Sequence, residues 1–192
     1  MRTFLREAAV TLVLVAVAFF GIRATVQSNV VIGPSMEPGL NDGQRLLISK
    51  IIYWFSEPGR GDVITFHSPS GSRADFIKRI IGLPGDTIEV KGGAVYLNGS
   101  RLDEPYIADA PNYTLTERKV PDDSYFVLGD NRNSSNDSHN GWMVPHQNII
   151  GKAWLSIWPP TEWGVVSHYP LREQLTSFIP KQAALWAKRT AW

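Results

Sequence analysis

Ser35 and Lys78 are the residues of this chain whose surroundings could most readily make them reactive. Ser35 lies in the stretch Asn29 to Leu40, NVVIGPSMEPGL, between Pro34 and Pro38. Proline fixes its own φ and restricts the residue before it, so Gly33 and Glu37 are pushed toward extended or turn conformations. Ser35 is therefore expected on a stiff, non-helical corner that ends a β-prone run. Such a corner suits a nucleophile, and it equally suits an ordinary turn serine. Lys78 lies in the apolar run Phe76 to Ile81, FIKRII, where strand alternation places Lys78 and Arg79 on opposite faces. The plain reading is a lysine snorkelling from a one-sided strand. The chemical reading is a buried lysine held neutral, able to act as a general base. A free lysine near pKa 10.4 is only about 0.1% neutral at pH 7.4. Desolvation would have to lower it by roughly 2 to 3 units, or about 3 to 4 kcal/mol.

A third candidate is Gly129 to Gly141, GDNRNSSNDSHNG, built almost entirely from turn formers. An Asx-rich surface loop explains it without chemistry. A calcium loop starting at Asp130 fails, because Arg132 and Ser135 occupy positions that require a ligand and a glycine. The loop does pack Asp130, Arg132, Ser135 and Asp137 between an apolar strand and Trp142, a density of polar groups suited to bracing a site. Other signatures fail too. Gly33-Pro34-Ser35-Met36-Glu37 lacks the second glycine of a G-x-S-x-G elbow, and Pro38 replaces the lysine of S-x-x-K. The histidines His67, His139, His146 and His168 have no zinc spacing, so no metal is expected, and nothing singles one out for a triad. No dinucleotide or P-loop glycine pattern is present, and no cofactor is expected.

The elements that must position these residues read as β. Gln44 to Ile52, Gly61 to Phe66, Asp75 to Ile81, Val120 to Leu128 and Ile149 to Trp158 are strand candidates. Leu83-Pro84-Gly85-Asp86 predicts a type II turn. Thr87 to Lys91, Ala94 to Leu97 and the residues after Asn98-Gly99 predict a meander through two tight turns, at Gly92-Gly93 and Asn98-Gly99. Closely spaced strands without long helical patterns predict a mainly β fold of antiparallel sheets in a barrel-like domain. No internal repeat and no low-complexity tract interrupts it.

At 192 residues the chain suits one domain with an appendage. A net charge of +1 gives no polyanion signal, so nucleic acid is not an expected partner. With no Cys, disulfides, thiolate metal sites and cysteine catalysis are excluded. Ala8 to Ile22 is uncharged and nearly all apolar, preceded by Arg2 and Arg6; extended through Val26 it reaches roughly 28 Å as a helix. A cleaved signal sequence and a retained anchor both fit that length. Either way the early arginines favour an inside N-terminus and export of the remainder, although Arg23, Arg45 and Lys50 follow the span. The tail from His168 to Trp192 mixes Leu, Phe and Trp with Lys and Arg, which suits a docked helix or an interfacial segment equally.

Four ordered blocks carry a family resemblance: Ser35-Met36-x-Pro38; Arg60-Gly61-Asp62-Val63; Lys78-Arg79-x-x-Gly82-Leu83-Pro84-Gly85-Asp86; and Gly129-Asp130-Asn131-Arg132-x-x-Ser135-x-Asp137-Ser138. With the apolar N-terminal span, they resemble the type I signal peptidases, membrane-bound serine proteases of bacterial type that cleave signal peptides from exported proteins. The resemblance covers roughly residues 30 to 160 and the anchor. It implies a short cytoplasmic N-terminus (1–7), a transmembrane anchor (8–27), an exported β catalytic domain (28–168) and a tail (169–192). It further implies a Ser–Lys dyad, with Ser35 as nucleophile and Lys78 as general base, and an acyl-enzyme intermediate. Ser135 would hydrogen-bond Lys78, while Asp130, Arg132 and Asp137 brace the loop. Val31, Met36, Leu40, Phe76 and Ile77 would line shallow pockets for small residues, as in Ala-x-Ala, around an extended signal peptide. The implied partners are signal peptides of exported preproteins and the lipid bilayer.

Two departures stand out. Where many members place a serine two residues before the nucleophile, as a second oxyanion donor, this chain has Gly33. Where the last block often ends Asp-Ser-Arg, it reads Asp137-Ser138-His139, which leaves Arg132 as a substitute cation. Two rival readings remain at this level. One is a self-cleaving Ser–Lys regulator, which would carry a DNA-binding part instead of the apolar span. The other is a non-enzymatic exported β module.

Overall fold

The computed structural model describes residues 2–69, 71 and 74–169. Most of the expected tail, residues 170–192, lies outside the described residues. Helix α1 (Arg2–Thr25) leads the chain, and its segment Thr3–Thr25 has a mean hydropathy of 2.1, with none of that window buried against protein. It is long and apolar enough to cross a membrane. The chain then turns β without a linker. The strands are β1 (Val26–Val30), β2 (Arg45–Ser49), β3 (Val63–His67), β4 (Asp75–Gly82), β5 (Thr87–Lys91) and β6 (Ala94–Leu97). They continue with β7 (Ser100–Arg101), β8 (Leu115–Lys119), β9 (Ser124–Leu128), β10 (Val144–Pro145), β11 (Ile149–Trp158) and β12 (Gly164–Val165). A one-turn helix, α2 (Ile52–Phe55), follows β2.

All described pairings are antiparallel. The large sheet runs β1-β2-β11-β3-β4-β9-β10, with β12 on β11, and the small sheet runs β7-β6-β5-β8. The mainly β, antiparallel expectation holds. The large sheet is open, with β1 and β10 at opposite ends of its path, so no closed barrel forms among the described residues.

Three strands at the centre, β3, β4 and β9, explain why their sequences read as continuous apolar runs. Val63 and Ile77 feed one core with Met36, Leu46 and Ile48, while Ile64, Phe66, Ile80 and Val127 feed the core on the opposite face. A strand buried on both faces has no polar side to display. The small sheet closes a third core around Ile88, Val90, Val95, Leu97 and Phe126.

The turns follow the expected chemistry. Gly85 takes φ +83° inside the Leu83–Asp86 turn, closed by the Asp86 N–H on the Leu83 carbonyl at 3.0 Å. Both hairpin turns of the meander place two residues at positive φ: Gly92 and Gly93, then Asn98 and Gly99. Asp86 ties this corner together. It accepts the Arg60 guanidinium at 2.6 Å, the Asn98 amide at 2.8 Å and the Leu83 N–H at 2.7 Å.

Candidate active site

Ser35 sits in the loop that joins β1 to β2. The loop's two ends are tied by the Val31 N–H on the Gln44 carbonyl (2.8 Å) and the Gly43 N–H on the Val31 carbonyl (3.0 Å). Gly33 adopts φ +82°, a left-handed conformation that suits glycine, and its N–H is held by the Asp42 carboxylate at 2.7 Å. Past Pro34 the chain tightens into a turn, with the Glu37 N–H on the Pro34 carbonyl at 3.1 Å. Met36 and Leu40, both buried, plug this loop into the core beneath it. Ser35 is left half-buried above that plug, on the corner its two prolines predicted.

Lys78 reaches Ser35 from the middle of β4. Its Nζ donates to Ser35 Oγ at 2.7 Å and to the Ile77 carbonyl at 2.9 Å. Only 5% of Lys78 is exposed, and burial lowers its pKa to about 8, against the opposing pull of Asp137 and Asp130. At pH 7.4 a group of pKa about 8 is roughly 20% neutral, some two hundred times the fraction of a free lysine. The apolar strand has produced a lysine that can accept a proton.

Arg79 turns to the other face of β4, where it is almost fully buried. It forms a two-bond pair with Asp130 at 2.7 and 2.8 Å, donates to the Gly61 and Ser167 carbonyls, and lies 4.4 Å over the Tyr106 ring. The Gly129–Gly141 loop is thereby roped to β4. Asp137 holds it from within, accepting the Gly129 N–H at 2.9 Å, and its other oxygen meets the His139 Nδ1 at 2.7 Å. The His139 ring stacks on Tyr113 at 4.2 Å. His139 thus occupies the place beside Asp137. Arg132 does not substitute for it: its guanidinium pairs with Glu104 (2.5 and 2.8 Å), and its Nε donates to the Gly129 carbonyl at 3.1 Å. Ser135 differs from expectation as well. Its Oγ is buried without a hydrogen-bond partner among the described residues, so it makes no bond to Lys78.

This loop touches the Ser35 turn directly. The Asn131 N–H donates to the Ser35 carbonyl at 3.1 Å, and its side-chain amide donates to the Pro34 carbonyl at 3.2 Å. Gly129 lies so close that an added Cβ would run into the Ser35 carbonyl oxygen and the Ser135 hydroxyl.

A cleft of about 260 Å³ opens over the pair. Val31, Met36, Phe76 and Ile77 line it, as expected for a substrate surface, together with Ile32 and Asn136. Leu40 does not; it faces the core and a separate cleft beside Arg79 and Tyr106. Along this cleft β4 has a bare edge: β3 pairs with Asp75 to Arg79, whereas β9 pairs only from Arg79 onward. Among the described residues no group of three His, Asp or Glu side chains is placed to hold a metal.

Sequence reasoning gave no role to Asn131, Asn136 or Glu104. Asn131 stood in a motif block among turn-forming neighbours with nothing to set it apart, and the Arg132–Glu104 pair joins residues 28 apart that no local pattern connects.

Comparison with known proteins gives the family. The family model described as "Signal peptidase, peptidase S26" matches residues 5–158. A signal peptidase I from Leptolyngbya laminosa is 45% identical over 175 residues, covering 86% of each chain. A probable signal peptidase I-2 from Synechocystis is 43% identical over 173 residues, covering 87% of this chain and 79% of its relative. The crystal structure of a signal peptidase I from Enterococcus faecalis V583 is 34% identical, covering 50% of this chain and 97% of that one, with a TM-score of 0.44. With the model match spanning most of the chain, this protein belongs to the signal peptidase family, peptidase S26, and is a serine endopeptidase.

Proposed function

We propose that this chain cleaves N-terminal signal peptides from exported preproteins while anchored in a membrane by α1, with Ser35 as nucleophile and Lys78 as general base. The observation that carries the reading is the 2.7 Å contact between Lys78 Nζ and Ser35 Oγ, at a lysine whose pKa burial has lowered to about 8. In the neutral state Lys78 Nζ takes the Oγ proton as Oγ attacks the scissile carbonyl carbon. The ammonium so formed returns that proton to the leaving amine as the peptide bond breaks, giving an acyl-enzyme on Ser35. Lys78 then takes a proton from water, the hydroxide attacks the ester, and Ser35 recovers its hydrogen as the signal peptide leaves. No histidine is required.

The bare edge of β4 beside the cleft supports binding of the signal peptide as an added strand, with backbone bonds for affinity. The shallow apolar lining by Val31, Met36, Phe76 and Ile77 favours small side chains such as Ala at the first and third positions before the cut. Asp130, Arg132 and Asp137 act by bracing, through Arg79, Glu104 and the Gly129 N–H respectively. Arg2 and Arg6, at the start of α1 and before its apolar stretch, favour a cytoplasmic N-terminus and a catalytic domain on the outer face.

The test is processing of a preprotein carrying an Ala-x-Ala site, with the product's N-terminus read by mass spectrometry. Ser35→Ala and Lys78→Ala are each expected to abolish the product. Processing at the wild-type rate by either variant contradicts the dyad.

A further inference from the structure

The oxyanion of a tetrahedral intermediate needs a hydrogen-bond donor already aimed at it, and Gly33 brings no side-chain donor to this loop. The backbone N–H of Ser35 is then the donor nearest the reacting carbon, and its aim becomes critical. That N–H makes no hydrogen bond among the described residues. Its direction is set by the peptide unit it belongs to. The only cis bonds among the described residues are Glu37-Pro38 and Trp158-Pro159, so Pro34-Ser35 is trans, and its C=O and N–H point in opposite directions in one plane. Whatever holds the Pro34 carbonyl therefore aims the Ser35 N–H.

Asn131 holds it from outside the turn. Its side-chain amide donates to the Pro34 carbonyl (3.2 Å) and its backbone N–H to the Ser35 carbonyl (3.1 Å), so one residue grips the two carbonyls that flank the nucleophile's α-carbon. The grip is rigid at its base. Asp130, next in the chain, is locked to buried Arg79, and the Ser134 N–H closes a turn on the Asn131 carbonyl at 3.1 Å. Close backbone approach at Gly129 seats the two loops on one another, as the clash of a Cβ there with the Ser35 carbonyl shows. The Glu37 N–H also reaches the Pro34 carbonyl, but from within the same turn, so it moves with the turn and cannot fix it against β4 and β9.

We infer that Asn131 is a positioning residue for catalysis: by gripping the Pro34 and Ser35 carbonyls it aims the Ser35 N–H at the oxyanion. This rests on Ser35 being the nucleophile. Asn131→Asp keeps the backbone donor and the side-chain shape but places an acceptor against the Pro34 carbonyl. Expected for this variant is a fall in kcat of about 10- to 100-fold, short of the roughly 100- to 1,000-fold seen when an oxyanion donor is removed outright, with KM within about twofold. A peptide aldehyde, whose adduct with Ser35 places an oxygen where the oxyanion forms, should lose affinity in step with kcat/KM. Binding of the uncleaved peptide to the Ser35→Ala background should be unchanged by Asn131→Asp. The midpoint of the pH–rate profile should stay where Lys78 sets it. Asn131→Ser, which removes the carbonyl-gripping amide without adding charge, should show the same pattern more weakly. Wild-type kcat and aldehyde affinity in both variants, or a loss confined to KM, overturns the inference. Failure of the underlying reading looks different: Ser35→Ala would remain active.

Discussion

Lys78 is a side chain whose burial is unfavourable for folding and yet leaves it able to accept a proton. Its folded pKa of about 8 lies below the ordinary 10.5 because burial penalises the ammonium. Between those values the unfolded chain holds a proton that the folded chain has released, so stability rises with pH across roughly 8 to 10.5. Below pH 8 the charge is present in both states, and burying it costs about 3 kcal/mol. Lys78→Met removes that cost. Urea unfolding at pH 7 should find the variant more stable than the wild type, with the gap closing by about pH 10; a variant less stable at pH 7 contradicts the desolvated state of Lys78. The same variant should be inactive. Lys78→Arg should be inactive too, since a guanidinium does not give up its proton at working pH, and measurable processing by it would remove Lys78 from the role of base. Ser35 and Lys78 were legible as candidates from type and spacing, because two prolines and one apolar run are local signals, while their pairing came from the family resemblance. Ser135 was not, since the direction of its hydroxyl depends on how the loop closes over Gly129. Nor was Leu40, whose side of the turn is decided by the core beneath it.

Among the elements, β4 and the Gly129–Gly141 loop do most of the positioning, and they do it through opposite faces of one strand. Lys78 points to the cleft and Arg79 to Asp130. Truncating Asp130 to Ala leaves a guanidinium buried and without its carboxylate, a change of the kind that costs about 3 to 5 kcal/mol. The expected result is a large fall in the thermal midpoint, and a fall under 1 °C contradicts the pairing. Gly129 and Gly85 offer a contrast. Gly85 has positive φ and open space, so Gly85→Ala should cost about 1 kcal/mol of stability and leave processing intact. Gly129→Ala meets the Ser35 carbonyl and should cut processing at least 100-fold. Equal activity in the two variants contradicts the close seating of the loops. Element types were read well where turns were explicit: the meander β5 to β7 with its two positive-φ turns, and β11, which spans Ile149–Trp158 as expected. Four of the described strands were missed for physical reasons. β1 (VQSNV) and β8 (LTERK) are edge strands that carry no apolar run to betray them, and β10 and β12 are only two residues long.

The whole molecule divides at Thr25. The apolar helix ends there and β1 begins at Val26 with no intervening linker, so the large sheet is directly attached to the candidate membrane span. Because none of the helix's apolar window is buried against the sheets, a chain beginning at Val26 should fold with a thermal midpoint within a few degrees of the full chain. The full chain should float with phospholipid vesicles in a density gradient, and the shortened chain should float less. Unfolding of the shortened chain contradicts this division. The order of apolar helix then β sheets was readable from hydropathy and strand spacing, whereas the partition into two sheets with three cores was not. That partition depends on β3, β4 and β9 being buried on both faces, and a continuous apolar run alone does not reveal it.

The central claim is that Ser35 is activated by a neutral Lys78. It is tested most directly by the pH dependence of kcat/KM for a preprotein substrate. A single ascending limb with its midpoint near the lowered pKa of about 8 is predicted, with activity falling about tenfold per unit below it. A profile flat from pH 6 to 9, or a limb centred near the ordinary histidine value, would contradict it.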